Sequence, residues 1–296
     1  MVDLSRRSFL AASAGLTLAA CGSSKSGSGS ASTGGSSSAS GSTGSTKGGT
    51  QLVQFFGDGY IAPGRQRLPV GLGDAKGVLA TGGPDTITFQ VLGPKLDVVV
   101  PSVVAARHAQ DLPRPYWPVV LTLTDPGVYT VVGSSLKGKP EFQFSVTAAD
   151  KIVIPKVGDK LPPFDTPTID NARTVNPICT RNPACPFHSI TLTQALASAK
   201  PVAFLIATPA HCKTAVCGPV LDLLVGQQSA FGAKVAMVHA EVYTDDSINA
   251  TAPVLDAYNM SWEPCLFLAD ASGTIVNRLD NVWDTNELQA ALTKLV

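Results

Sequence analysis

An all-β N-terminal sandwich joined to an α/β C-terminal domain is the fold class the sequence predicts, on three observations. Between residues 51 and 150, short apolar runs are separated by Gly, Pro and Asp turns at the spacing of a sandwich. Between residues 186 and 296, apolar runs of strand length alternate with helix-start signals, as βα units do. With 27 Gly, 22 Pro and only 15% charged residues, the chain suits turns and strands better than long charged helices. The 296 residues suffice for roughly two domains. The 22 Lys+Arg balance 22 Asp+Glu, which argues against the basic surface of a nucleic-acid-binding domain, so no nucleic-acid partner is expected.

Residues 1–21 belong to targeting rather than to the fold. Ser5-Arg6-Arg7-Ser8-Phe9-Leu10 resembles the twin-arginine export motif. The apolar run that follows ends at Ala20 and is shorter than the ~20 residues that span a bilayer. Leu18-Ala19-Ala20-Cys21 resembles a bacterial lipobox, whose cysteine is lipidated and becomes the new N-terminus. The resemblance implies a chain exported by the twin-arginine route and anchored through Cys21 on the extracytoplasmic face of the membrane. Disulfides persist in such a compartment. Residues 22–50 are Ser, Gly, Thr and Ala with two lysines, Lys25 and Lys47. They cannot bury enough apolar surface to offset their ordering entropy, so a disordered tether of roughly 30 Å is expected.

In residues 51–150 the expected strands are 51–56, 86–92, 96–100, 119–124, 128–132 and 142–147, punctuated by Gly57-Asp58-Gly59, Gly82-Gly83-Pro84 and Asp125-Pro126-Gly127. Asp125-Pro126-Gly127-Val128-Tyr129 resembles the corner of immunoglobulin-like domains, where a Tyr hydroxyl bonds back to nearby backbone. The sandwich is therefore read as immunoglobulin-like, although the Cys pair and Trp of antibody domains are absent as a set and Trp117 alone is weak support. It shows no catalytic constellation, and His108 reads as a surface or satisfied histidine. Residues 151–185 form a Pro-rich linker, with Pro155, Pro162, Pro163, Pro167 and Pro177.

The last segment, 186–296, opens on Thr191-Leu192-Thr193-Gln194, a capping-box pattern for a helix to 198. Residues 201–208 read as a buried strand, followed by a cysteine-bearing turn and a helix through 224. A strand at 234–243, a helix at 252–258 begun by Pro253, strands at 265–269 and 274–279, and a helix to 295 complete it.

That order resembles the thioredoxin fold. Three strings carry the likeness: Ala207 to Pro219, a buried strand end running into a turn with Cys212 and Cys217; Glu263-Pro264-Cys265 before a strand; and Leu266 to Val276, a hairpin with Asp270 and Gly273. The resemblance implies a thioredoxin-like domain with thiol-disulfide exchange at Cys212 and Cys217, beside a cis Pro264 that offers backbone to a substrate chain. The spacing departs from the family, since four residues separate Cys212 from Cys217 in place of two. Strand spacing makes Cys212 the attacking thiol. Helix chemistry favours Cys217, which Pro219 would place at a helix N-terminus. The first assignment is preferred, with a structural disulfide as the bland alternative.

Cys179 and Cys185 most simply form a disulfide that pins the linker. A sharper alternative adds His188 as a third soft ligand, at a spacing that is not a common zinc pattern. Cys265 is left over, as a buried small hydrophobe or a thiol near the pair. The functional expectation is a membrane-anchored thiol-disulfide oxidoreductase or redox sensor acting on protein thiols and disulfides, with no cofactor. The alternatives are a copper chaperone resembling the SCO type, with copper on Cys212, Cys217 and His239 or His211, and an inactive thioredoxin-fold binding module.

Overall fold

The structure, a computed structural model, describes residues 49–57, 59–212 and 216–296. The export signal, Cys21 and all but the end of the tether lie outside the described residues.

Two antiparallel sheets come from the N-terminal part. β1 (Gln51–Gln54), β2 (Gly64–Gly73) and β5 (Trp117–Leu123) pair in the order β1-β2-β5. β3 (Thr86–Leu92), β4 (Val98–Ala106), β6 (Gly127–Val132) and β7 (Glu141–Val146) pair in the order β4-β3-β6-β7. Strand periodicity sets their faces: Ile87, Phe89 and Val91 alternate along β3 and all point into the core. The Tyr129 hydroxyl donates to the Asp125 carbonyl at 2.8 Å and closes the corner between β5 and β6.

The C-terminal part contains α1 (Leu192–Ala197), β8 (Val202–Ile206), α2 (Cys217–Gly226), α3 (Gln228–Phe231), β9 (Ala236–Ala240), α4 (Pro253–Tyr258), β10 (Cys265–Ala269), β11 (Ile275–Asp280) and α5 (Thr285–Thr293). Its sheet runs β11-β10-β8-β9, with β8 and β9 parallel and the other pairs antiparallel. Thr191 and Gln194 close a reciprocal capping box on α1.

The expected fold class needs correction. Among the described residues there are eleven strands in three sheets and five α-helices, none longer than ten residues. The chain is mostly β and is not the α/β thioredoxin-like fold of the sequence resemblance. The physical reason lies in the helix termini. Helix α1 stops after six residues, α4 stops after six at a left-handed Asn259, and α3 has four. Residues between Ile152 and Ile190, which could have added a helical layer, form no helix or strand.

The C-terminal sheet has two unlike faces. Val202, Phe204, Ile206, Val238, Cys265 and Phe267 share one core with the N-terminal sheets. Ala203, Leu205, Leu266 and Leu268 face the other way, onto α2 and α5. Polar contacts reinforce the first junction. Arg67 on β2 forks onto the Glu287 carboxylate at 2.5 and 2.6 Å and donates to the Val282 carbonyl at 2.6 Å. Such a bidentate guanidinium–carboxylate pair is among the stronger hydrogen-bond geometries. His108 is the satisfied kind of histidine: its Nδ1 lies 2.9 Å from Asp284, the residue that caps α5. Tyr60 stacks on Trp262 with ring centroids 3.8 Å apart.

The Pro-rich segment is not a loose spacer. Its Asn176 N donates to the Thr244 carbonyl at 2.8 Å, and just beyond its end the Phe187 carbonyl accepts from His239 N at 3.3 Å. It therefore covers the outer edge of β9, an edge that would otherwise present unpaired backbone groups.

Candidate functional site

Two sulfur-bearing clusters lie on the α2 side of the C-terminal sheet. The first is built at the end of β8. The chain leaves Ile206 and turns, and α2 begins at Cys217. Cys212 and Cys217 are bonded to each other, with Cα atoms 5.9 Å apart. Cys217 is fully buried in the apolar cluster under α2, whereas Cys212 is half-buried at its rim. The Cys217 backbone N–H donates to the Cys212 sulfur at 3.4 Å. The amide at the head of α2 is thus aimed at Cys212, where it favours a thiolate. Cys217 thus occupies the helix N-terminus, as the argument from Pro219 expects, and its amide points at Cys212.

The third member of this cluster is Glu263, which the sequence argument passed over. Its Oε2 lies 3.5 Å from Cys217 Sγ and accepts from Thr208 N at 3.1 Å. The Glu263–Pro264 peptide is cis. Pro264 is buried, and its carbonyl accepts from Asn281 N at 2.8 Å, so that group is already engaged within the chain. The signal that could have identified Glu263 was adjacency: it directly precedes the proline singled out from the motif.

Cys265 does not belong to this site. Successive residues of a strand point to opposite faces, and Cys265 packs with Phe204 and Phe267 in the core on the far side of the sheet from Cys217. Burial, then the Asp280 charge, pushes its thiol well above the usual range. It behaves as a small hydrophobe.

The second cluster gathers Cys179, Cys185, His188 and His239. The expected Cys179–Cys185 disulfide is not formed; both are free thiols, 6% and 5% exposed, and the histidines are 1% and 0% exposed. The reason is the company they keep. His239 enters from β9, in register with Leu205 on β8, and its Nδ1 lies 3.5 Å from Cys185 Sγ and 3.1 Å from His188 Nε2. The two sulfurs face two imidazoles. Cys185 N donates to Cys179 Sγ at 3.3 Å. The hydrogen bond from Cys185, and then those from His188 and His239, hold the Cys179 thiol far below its usual range against the opposing effect of burial. The same Cys185–Cys179 bond, with burial, pushes Cys185 up. Burial works against charge on His239, but its bond to Cys179 and the Glu241 charge raise it overall.

The loop from 179 to 185 is fastened to the first cluster. Glu241 accepts from the Thr180 amide at 2.6 Å and the Thr180 hydroxyl at 2.9 Å, and that hydroxyl accepts from Ala210 N at 3.1 Å. Arg181 reaches Asp222 on α2 at 2.6 Å. Neither histidine named for copper joins Cys212 and Cys217: His239 belongs to the second cluster, and His211 Nε2 bonds Asp246 at 3.0 Å. The group gathered with that pair is a carboxylate, a harder ligand than Cu(I) selects.

No protein-family model matches this chain, and no curated protein matches it. Among the described residues no helix is long and apolar enough to cross a membrane.

Proposed function

We propose that the chain is a thiol-disulfide oxidoreductase, tethered through a lipidated Cys21 on the extracytoplasmic face of the membrane, with Cys212 and Cys217 as its exchanging pair. One observation carries the reading: the two sulfurs are bonded at the head of α2, with only Cys212 near the surface and a helix amide directed at it.

In the reduced pair, the Cys212 thiolate attacks a sulfur of a partner disulfide. A Cys212–partner S–S bond forms, the partner's S–S bond breaks, and one partner thiolate leaves. Cys217, losing its proton to the Glu263 carboxylate 3.5 Å away, then attacks Cys212 Sγ. The Cys212–Cys217 bond forms and the second partner sulfur leaves, taking up a proton. The partner gains two electrons and the pair loses two; run in reverse, the same steps oxidise a partner dithiol. The partners are protein thiols and disulfides, the only substrates the chemistry requires.

The reading is tested by equilibrating the purified chain with glutathione buffers. Structural disulfides of secreted proteins typically lie below about −300 mV, so the pair is expected above that value. A potential well below it, with no exchange onto a disulfide-bonded protein, would reduce the pair to a staple.

A further inference from the structure

We infer that Cys179, Cys185, His188 and His239 form a closed, four-ligand site for a zinc ion that ties the Pro-rich segment to β9 behind the exchanging pair. The argument begins with the tautomers. His239 Nε2 lies 3.0 Å from the Ala207 carbonyl, and His188 Nδ1 lies 3.4 Å from the Pro167 carbonyl. A carbonyl only accepts, so each of those nitrogens carries the N–H. The other nitrogens, His239 Nδ1 and His188 Nε2, are then bare acceptors in the neutral rings, facing each other 3.1 Å apart. A thiol proton passed to His239 Nδ1 would let it donate to His188 Nε2, but it would leave a thiolate and an imidazolium buried together. A cation at the centre serves both nitrogens and both sulfurs at once.

The distances fit zinc. Bonds of about 2.3 Å to sulfur and 2.0–2.1 Å to nitrogen, arranged tetrahedrally, place two nitrogens about 3.3 Å apart and a sulfur and nitrogen about 3.6 Å apart. The observed separations are 3.1 Å between the nitrogens and 3.5 Å from Cys185 Sγ to His239 Nδ1, and all four donor atoms lie within 4.8 Å of one another. The donor set also fits. Two thiolates and two imidazoles in a tetrahedron suit zinc, and four protein ligands leave no open position, as in structural sites.

Charge and supporting contacts agree. Binding releases the two thiol protons as two Zn–S bonds form, so the buried unit of one dication, two thiolates and two neutral rings carries no net charge. A neutral cluster avoids the cost of burying an unpaired ion. Each imidazole already has the carbonyl partner that orients a ligating ring, and the Cys185 amide donates to the Cys179 sulfur. The site needs a residue from β9 that the local C-x5-C-x2-H string cannot supply, so it exists only in the folded chain.

The test uses the full-length chain, metal-depleted, with Cys179 and Cys185 verified as free thiols. It is titrated with zinc against a competing chelator, and with cobalt(II) as a spectroscopic probe. One zinc per chain is expected, together with cobalt absorption of a tetrahedral site with thiolate ligands. His239→Ala and Cys185→Ser each weaken binding at least a hundredfold, while the Cys212→Ser/Cys217→Ser chain binds unchanged. His188→Cys, which supplies another sulfur at the same position, retains binding and strengthens the thiolate-to-cobalt band. That variant guards against misreading a folding failure. Lack of zinc binding by the native chain overturns the proposal. So does binding that is lost in the Cys212→Ser/Cys217→Ser chain and kept in His239→Ala.

Discussion

Two cysteine pairs of nearly equal spacing, Cys179–Cys185 and Cys212–Cys217, lie on the same side of one sheet and stand in opposite states. The wider pair is unbonded, buried, and faced by two imidazoles; the narrower is bonded, partly exposed, and faced by a carboxylate. Spacing along the chain does not separate them. Their neighbours do, and those neighbours arrive from distant positions: His239 from β9 and Glu263 from the loop before β10. An imidazole offers a lone pair that a metal can share with sulfur. A carboxylate offers a place for a thiol proton. On the proposed reading, the same residue type is thereby directed toward ligation in one cluster and toward exchange in the other.

The comparison breaks most visibly if the pairs are swapped in function. Cys217→Ser is expected to accumulate a mixed disulfide between Cys212 and a partner on non-reducing gels, and Cys212→Ser to accumulate none. Trapping through Cys179 or Cys185 instead would reverse the assignment of the two clusters. Adding Cys265→Ala should leave the pattern unchanged, because that side chain lies on the opposite face of the sheet.

Metal removal sharpens the other half. A site-saturating ligand at a thousandfold above its Kd stabilises the native state by about 4 kcal/mol. For a folded part of this size, at roughly 2–4 °C per kcal/mol, chelation should lower Tm by about 10 °C. Calorimetry with and without chelator checks this, and an unchanged Tm would remove zinc from the account. The Cys212–Cys217 disulfide should survive the treatment.

The smallest expected effect concerns Glu263. Loss of a positioned proton acceptor typically costs a factor of 10²–10⁴. Glu263→Gln should slow release of the partner from the mixed disulfide by about a hundredfold near neutral pH, less at alkaline pH where Cys217 ionises unaided. The initial attack by Cys212 should keep its rate. An equal slowing of both steps would assign Glu263 a purely structural role.

Much of the strand pattern was legible, because alternation and turn residues are local signals. β3 and β10 occupy the residues their apolar runs predict. β2 was missed because Pro69, Gly71 and Gly73 argue against a strand. It survives because Pro69 still accepts, from Phe55 N at 3.0 Å, and β2 stays paired with β5 on both sides of it, from Gly64 opposite Leu123 to Val70 opposite Trp117. The fold class failed for a different reason. Order of elements was readable, but helix length was not, and short helices ended by Asn259 or interrupted near Gln227 leave the chain mostly β. In the sites, Cys212, Cys217 and Pro264 were legible because a short motif holds them. His239 was named only for the other pair, because its approach to Cys185 spans 54 positions and is set by strand pairing.

The most direct test is mass analysis of the full-length protein, purified without reductant under non-denaturing conditions and then mapped by peptide. The account predicts one zinc per chain, a Cys212–Cys217 linkage, and Cys179 and Cys185 unlinked and shielded from alkylation until the metal is removed. A Cys179–Cys185 linkage in metal-free protein would contradict it, because both pairs would then be disulfides and the distinction between the clusters would not exist.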